Sequence, residues 1–270
     1  MASGAAERIL VHGHRGARAV RPENTLPAFE YAIAAGADVL ELDLAVTKDN
    51  VLVVSHDPEL AKPICSGLPD HAVIRQLTLA EVKEYDCGAL RNPGFPNQTP
   101  VPGTRMPTLD EVFALSPKGT FEFNVETKIF PDKPELTPSP EEFARLLLEA
   151  IQRHKLEQRV IVQSFDYRTL HAMKKMAPEI RLSALYEGNA PDYVAIAREA
   201  GASIVSPNWQ SVTPERVKAA HDAGLQVVPW TANQPKAWEK LADAKVDAII
   251  TDDPAALIAW LKQRDIQLSR

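Results

Sequence analysis

Glu41 and Asp43 stand two residues apart inside the otherwise apolar run Val39-Leu40-Glu41-Leu42-Asp43-Leu44. In an extended chain, alternation puts both carboxylates on one face, and charges taken out of water among leucines need a partner. A metal cation is such a partner. The stretch Val53-Val54-Ser55-His56-Asp57 returns after the turn-like Thr47-Lys48-Asp49-Asn50. A turn centred on Lys48-Asp49 pairs residues whose numbers sum to about 98 across an antiparallel hairpin. Position 55 then faces Asp43, and His56 lands beside the carboxylates.

Two further stretches add chemistry. His14 and Arg15 lie between Gly13 and Gly16, and the run Asn124-Val125-Glu126-Thr127-Lys128 alternates so that Asn124, Glu126 and Lys128 share a face. Glu41, Asp43 and Glu126, with no thiolate among them, suit one hard divalent cation, Mg²⁺ or Ca²⁺, better than Zn²⁺. His14 and His56 beside it are suited to serve as general base and general acid near neutrality. Arg15 and Lys128 offer positive charge to an anion, and next to a divalent ion that anion is a phosphate. Taken singly, each group has a plainer reading: Glu41 and Asp43 as an ion-paired rim, His14 as a loop histidine, Glu126 with Lys128 as an exposed pair. Together the seven positions describe a site. His12, His71, His154, His171 and His221 read as structural or surface residues.

A repeated unit must position these groups. Strand-like segments begin near residues 9, 38, 121, 160, 180, 203, 226 and 247, each followed by helix signals. Asn24 reads as the cap of a helix over 25–35 that Gly36 ends, and Ser139 with Glu142 reads as a capping box ahead of Pro140. Asp166, Asp192 and Thr213 open later helices in the same way. Eight such units place the chain in the α/β class as a (β/α)8 TIM barrel, whose active site gathers at the C-terminal ends of the strands. The segment 51–55 cannot be a ninth parallel strand, because its short link leaves room only for a hairpin. Between Pro58 and Pro107 the rhythm breaks into proline- and glycine-rich chain with one short helix capped by Thr78 and Glu81. This reads as a small insertion at about 58–107 in a single domain over 1–270, serving either as a lid or substrate wall or as a packed decoration.

A net charge of -6 and the lack of any basic run argue against nucleic acid or an anionic membrane as partner. The apolar stretches are too short and interrupted for stable membrane insertion. Residues 1–7 lack the pattern of a signal peptide, so the expected location is cytoplasmic, or periplasmic or secreted if this leader replaces a removed signal. Cys65 and Cys87 are expected to be unpaired, with pairing left open for an oxidising compartment. Oligomeric state has no signature in the sequence.

His14-Arg15-Gly16, Pro22-Glu23-Asn24-Thr25, Glu41-Leu42-Asp43, Thr47-Lys48-Asp49, His56-Asp57, Asn124-Val125-Glu126-Thr127-Lys128, Gln163-Ser164-Phe165 and Trp230-Thr231-Ala232-Asn233 follow one another in the chain. In this order they resemble the glycerophosphodiester phosphodiesterase family over nearly the whole sequence. The resemblance implies hydrolysis of a small-molecule glycerophosphodiester to sn-glycerol 3-phosphate and an alcohol. It implies Glu41, Asp43 and Glu126 as metal ligands, His14 and His56 as the acid/base pair, and Arg15 and Lys128 as phosphate contacts. Glu23 would support the metal site, and Trp230 would line the substrate pocket. The chain departs from the family pattern at Asn50, where glycine is common, at Thr127, where an aliphatic is usual, and in a longer loop from Phe130 to Thr137. His14 is read as base and His56 as acid, with the reverse assignment open, and the nucleophile is either water or the glycerol 2-hydroxyl. Two alternatives stand beside this reading: a lysophospholipase D-like enzyme using Leu68, Leu90 and Phe95 as an acyl groove, and a barrel that binds phosphate esters without cleaving them.

Overall fold

The computed structural model describes residues 8–189 and 191–268, so the leader at 1–7 lies outside the described residues. Strands β1 (Leu10–Gly13) and β2 (Val39–Val46) flank helix α1 (Leu26–Ala35). The chain turns back as β3 (Leu52–Val54) and then forms β4 (Glu59–Leu60), β5 (Ala72–Val73) and helix α2 (Leu79–Val82) within the insertion. Helix α3 (Leu109–Phe113) leads to β6 (Glu122–Thr127), α4 (Pro140–His154), β7 (Val160–Ser164), α5 (Tyr167–Met176) and β8 (Arg181–Tyr186). The remaining elements are α6 (Tyr193–Ala200), β9 (Ile204–Pro207), α7 (Pro214–Asp222), β10 (Gln226–Val227), α8 (Pro235–Asp243), β11 (Ala248–Thr251) and α9 (Pro254–Leu268).

Eight strands lie side by side in parallel, in the order β10-β9-β8-β7-β6-β2-β1-β11. The two ends of that row meet, where the Asp247 N–H donates to the Val227 carbonyl (3.1 Å) and the Ile250 N–H to the Pro229 carbonyl (3.0 Å). The result is a nearly closed (β/α)8 barrel, as the alternation of elements predicts, with every strand starting within one residue of its expected place.

Strand β2 shows why the barrel positions chemistry so firmly. All eight of its residues are buried. Leu40, Leu42 and Leu44 pack into the main core with Phe29 and Phe123, each burial worth about 1.5–3 kcal/mol. Glu41 and Asp43 alternate with them. A shift by one residue would move the leucines off the core and drive the carboxylates into it. The return strand pairs Leu44 with Val54, Ala45 with Val53 and Val46 with Leu52, the register expected from the turn. Asn50 takes φ 60° in that turn, a conformation asparagine tolerates.

Three local expectations are corrected. Asn24 is not the cap of α1: Thr25 occupies that position, and Asn24 takes φ 54° with its side chain on Asp43. At α4 only the Ser139 half of the capping box forms, because the Glu142 carboxylate pairs with Arg145 instead. Cys65 and Cys87 form a disulfide. The insertion folds back so that Ser66 and Asp86 exchange backbone hydrogen bonds of 2.8 and 2.9 Å, which sets the neighbouring cysteines face to face over a small core that includes Leu60, Ile74, Val82 and Tyr85.

Candidate active site

The loop after β1 is shaped by two glycines. A Cβ on Gly13 would strike the Gly16 carbonyl, and one on Gly16, at φ 82°, would lie 2.7 Å from the Ala28 carbonyl carbon. Between them Arg15 also adopts a left-handed conformation, φ 49°, which an arginine adopts only when its surroundings hold it there. The holding contacts are visible. The Arg15 N–H donates to Glu41 Oε2 (2.9 Å), its guanidinium donates to Glu23 Oε1 (2.6 Å), and its Nε lies 3.3 Å from Asp43 Oδ2. Among the described residues, that buried Nε has no hydrogen-bond partner of good geometry.

Strands β2 and β6 are neighbours, with Asp43 directly opposite Glu126. Oxygens of Glu41, Asp43 and Glu126 lie within 4.8 Å of one another, and all three residues are buried. Gln163, at the end of β7, donates to Glu41 Oε1 (2.8 Å) and accepts from Asn124 (3.0 Å). Asn24 donates to Asp43 Oδ2 (2.9 Å). Lys128 Nζ lies 3.2 Å from Glu126 and 3.0 Å from His56 Nε2, and His56 Nδ1 lies 2.8 Å from Asp57. On the other side of the cluster, His14 Nε2 is 3.9 Å from Glu41 Oε2.

The electrostatics follow from this crowding. Burial, reinforced by the charges of Asp43 and Glu126, raises the Glu41 carboxyl well above the ordinary carboxylate range. Burial likewise pushes Glu126 up to about 8 against the pull of Lys128. Asp43 goes the other way: burial opposes its ionisation, but Arg15, His56 and Lys128, with the Asn24 hydrogen bond, hold it below the usual range. Two carboxyls that would retain protons beside a third that stays ionised are what a divalent cation relieves. An all-oxygen donor set fits a hard ion.

All seven positions singled out from the sequence therefore converge on one end of the barrel. Trp230 stands just beyond β10, half-buried, its Nε1 donating to the Ser206 carbonyl (2.8 Å) and its ring edge-on to Phe165 at 5.5 Å. His12 is buried below the cluster and kept neutral by that burial, its pKa lowered to about 3. Sequence reasoning missed Asn24 as a carboxylate partner and missed Asp252 altogether. The signal for Asp252 was its place directly after the last strand, β11, where a barrel gathers its reacting groups.

Carboxylates, imidazoles and fixed cations at the mouth of a parallel eight-stranded barrel define an enzyme built to act on a phosphate ester. The family model of the glycerophosphoryl diester phosphodiesterase family matches residues 14–256. The chain is 36% identical over 256 residues to a glycerophosphodiester phosphodiesterase of Caldanaerobacter subterraneus subsp. tengcongensis, covering 95% of this chain and 99% of that one. A crystal structure from Silicibacter pomeroyi DSS-3, provisionally named as a glycerophosphoryl diester phosphodiesterase, superposes with a TM-score of 0.88 at 31% identity, covering 97% of this chain and 96% of the other. An Oleispira antarctica phosphodiesterase, solved with its product sn-glycerol-3-phosphate, shares the fold with a TM-score of 0.80 at 23% identity, over 94% of this chain and 96% of that one. The chain belongs to the glycerophosphoryl diester phosphodiesterase family. It is an enzyme, a phosphoric diester hydrolase acting on glycerophosphodiesters.

Proposed function

We propose that the chain hydrolyses glycerophosphodiesters to sn-glycerol 3-phosphate and an alcohol with one divalent cation, Mg²⁺ or Ca²⁺, and two histidines. The observation that carries this is the meeting of Glu41, Asp43 and Glu126 oxygens within 4.8 Å, with His14 on one flank and His56 on the other. These carboxylates would hold the ion, which when bound supplies Lewis-acid charge to the phosphodiester oxygens. Arg15, anchored by Glu23 and lying beside Asp43, adds positive charge for the anion. Lys128, kept charged by Glu126 and Asp43 against the cost of burial, adds a second cation on the same side. His14 removes the proton from the nucleophile and His56 returns one to the departing alkoxide.

The Cys65–Cys87 bridge supports work in an oxidising compartment rather than in a reducing cytoplasm. Thiol labelling of the protein from its native cells tests this, and free thiols there would overturn it.

The deciding assay is release of sn-glycerol 3-phosphate from glycerophosphocholine. Release is expected with Mg²⁺ or Ca²⁺, is abolished by a chelator, and returns when the ion is restored. Unchanged release after exhaustive chelation would remove the metal from the reading, and no release from any glycerophosphodiester would remove the substrate class.

A further inference from the structure

Asp252 follows β11 at the barrel mouth and is only 2% exposed. Its Oδ1 lies 2.6 Å from His14 Nδ1 and also accepts from Arg18 Nε (2.7 Å), while its Oδ2 accepts from Asn233 Nδ2 (2.6 Å). Its own N–H donates to Asn233 Oδ1 (2.9 Å), and the His14 N–H donates to the Thr251 carbonyl (2.8 Å). The carboxylate is thus fixed from three directions, and the loop that carries His14 is tied to the same strand end.

Arg18 in turn is held by the insertion. Its guanidinium lies over the Phe95 ring at 4.8 Å, and its carbonyl accepts from Gln98 Nε2 at 2.7 Å. A continuous set of contacts therefore runs from Phe95 through Arg18 and Asp252 to His14.

We propose that Asp252 is a positioning residue for the hydrolysis: it fixes the His14 ring through Nδ1 so that Nε2 faces the acidic cluster, and the insertion keeps it in place through Arg18. This rests on the reading of His14 as the base. With Nδ1–H donated to a carboxylate, the lone pair is confined to Nε2, the nitrogen 3.9 Å from Glu41. A ring free to turn would present the wrong nitrogen for part of the time, and misplacement of about 1 Å costs on the order of 10²-fold in rate.

The test uses the full chain with its divalent ion. Asp252→Asn conserves size, but its amide cannot accept from His14 and Arg18 at one end and from Asn233 at the other, because one end now donates. The expected result is a fall in kcat of about 10²-fold on glycerophosphocholine with KM changed less than about threefold, and a thermal midpoint close to that of the parent. A second substrate, a glycerophosphodiester whose alcohol is p-nitrophenol, separates the roles, since that leaving group departs without a proton. There the loss in Asp252→Asn persists, while the loss in His56→Ala shrinks. Phe95→Leu, which touches no reacting group, lowers kcat by about threefold through the lost cation–π contact with Arg18. Parental kcat in Asp252→Asn, or a loss confined to KM, overturns the proposal. Parental kcat in Phe95→Leu overturns the insertion's part in it. A parent chain inactive on both substrates would instead sink the functional reading on which the proposal rests.

Discussion

Replacing Glu126 by glutamine should change how the metal-free protein responds to pH between 6.5 and 8. Burial raises the Glu126 carboxyl from 4.5 to about 8 in the folded chain. A raised folded pKa means that its contribution to stability is complete below 4.5 and is lost as pH climbs through 8. Between 4.5 and 6.5 that loss is masked, because His12 and His14 have lowered values and add stability as pH rises toward the ordinary histidine 6.5. Above 6.5 the two histidines are neutral in both states, and the Glu126 effect stands alone apart from Glu41, which shifts the same way. Asp43 and Asp252, held low, act only below the ordinary aspartate range. At 1.36 kcal/mol per pH unit, the Glu126 share of the fall across the window is about 1.5–2 kcal/mol, and Glu41 adds to it in the same direction. At roughly 2–4 °C per kcal/mol, the Glu126 share alone should lower the thermal midpoint of the chelated parent by about 3–8 °C across it. Glu126→Gln should remove the Glu126 share and leave the Glu41 share, and saturating Mg²⁺ or Ca²⁺ should flatten the slope in the parent. Thermal unfolding followed by circular dichroism measures all three curves. A parent midpoint that is level or rising across this window without metal would show that the carboxyl is not held protonated by its surroundings.

Other perturbations are as direct. His14→Ala and His56→Ala should each lower kcat by about 10²–10⁴ while leaving divalent-ion affinity in place, as steady-state rates and calorimetric titration would show; near-parental rates in both would end their acid/base assignment. Gly16→Ala must place a side chain at φ 82° against the backbone of Ala28, costing about 2 kcal/mol or more and displacing His14 and Arg15, so thermal midpoint and kcat should fall together. Cys65→Ser with Cys87→Ser removes a link spanning 22 residues, worth about 3 kcal/mol by loop entropy. Limited proteolysis should then cut within 58–107 before it cuts the barrel, and an unchanged cleavage pattern would mean that the insertion holds itself together without the bridge.

The barrel was legible because its rules are local. Alternating strands and capped helices repeat along the chain, and a parallel crossover has a minimum length, so the short turn before β3 could only be a hairpin. The same arithmetic brought His56 beside Asp43, and strand alternation set Glu126 and Lys128 on one face. Illegible features were those that depend on contacts between distant segments. Cys65 and Cys87 pair because Ser66 and Asp86 bridge across the insertion, which neither residue's neighbours announce. Asn24 carries the composition of a helix cap, yet it is spent on Asp43, and the choice between those two uses is made by a strand 19 residues further on. Asp252 belongs to the site only because β11 pairs with β1.

That pairing of the first barrel strand with the last also governs when activity arises during synthesis. Every one of the seven chemical positions precedes residue 129, so the reactive inventory is complete before strands β7 to β11 are made. Strand β1 meanwhile lacks the neighbour to which its register is tied, from Leu10 opposite Ala248 to Gly13 opposite Thr251. A prematurely terminated product would hold all the acids and bases of the enzyme and no enclosure to arrange them. Competence therefore waits for β11, the strand that closes the barrel, rather than growing with each added unit.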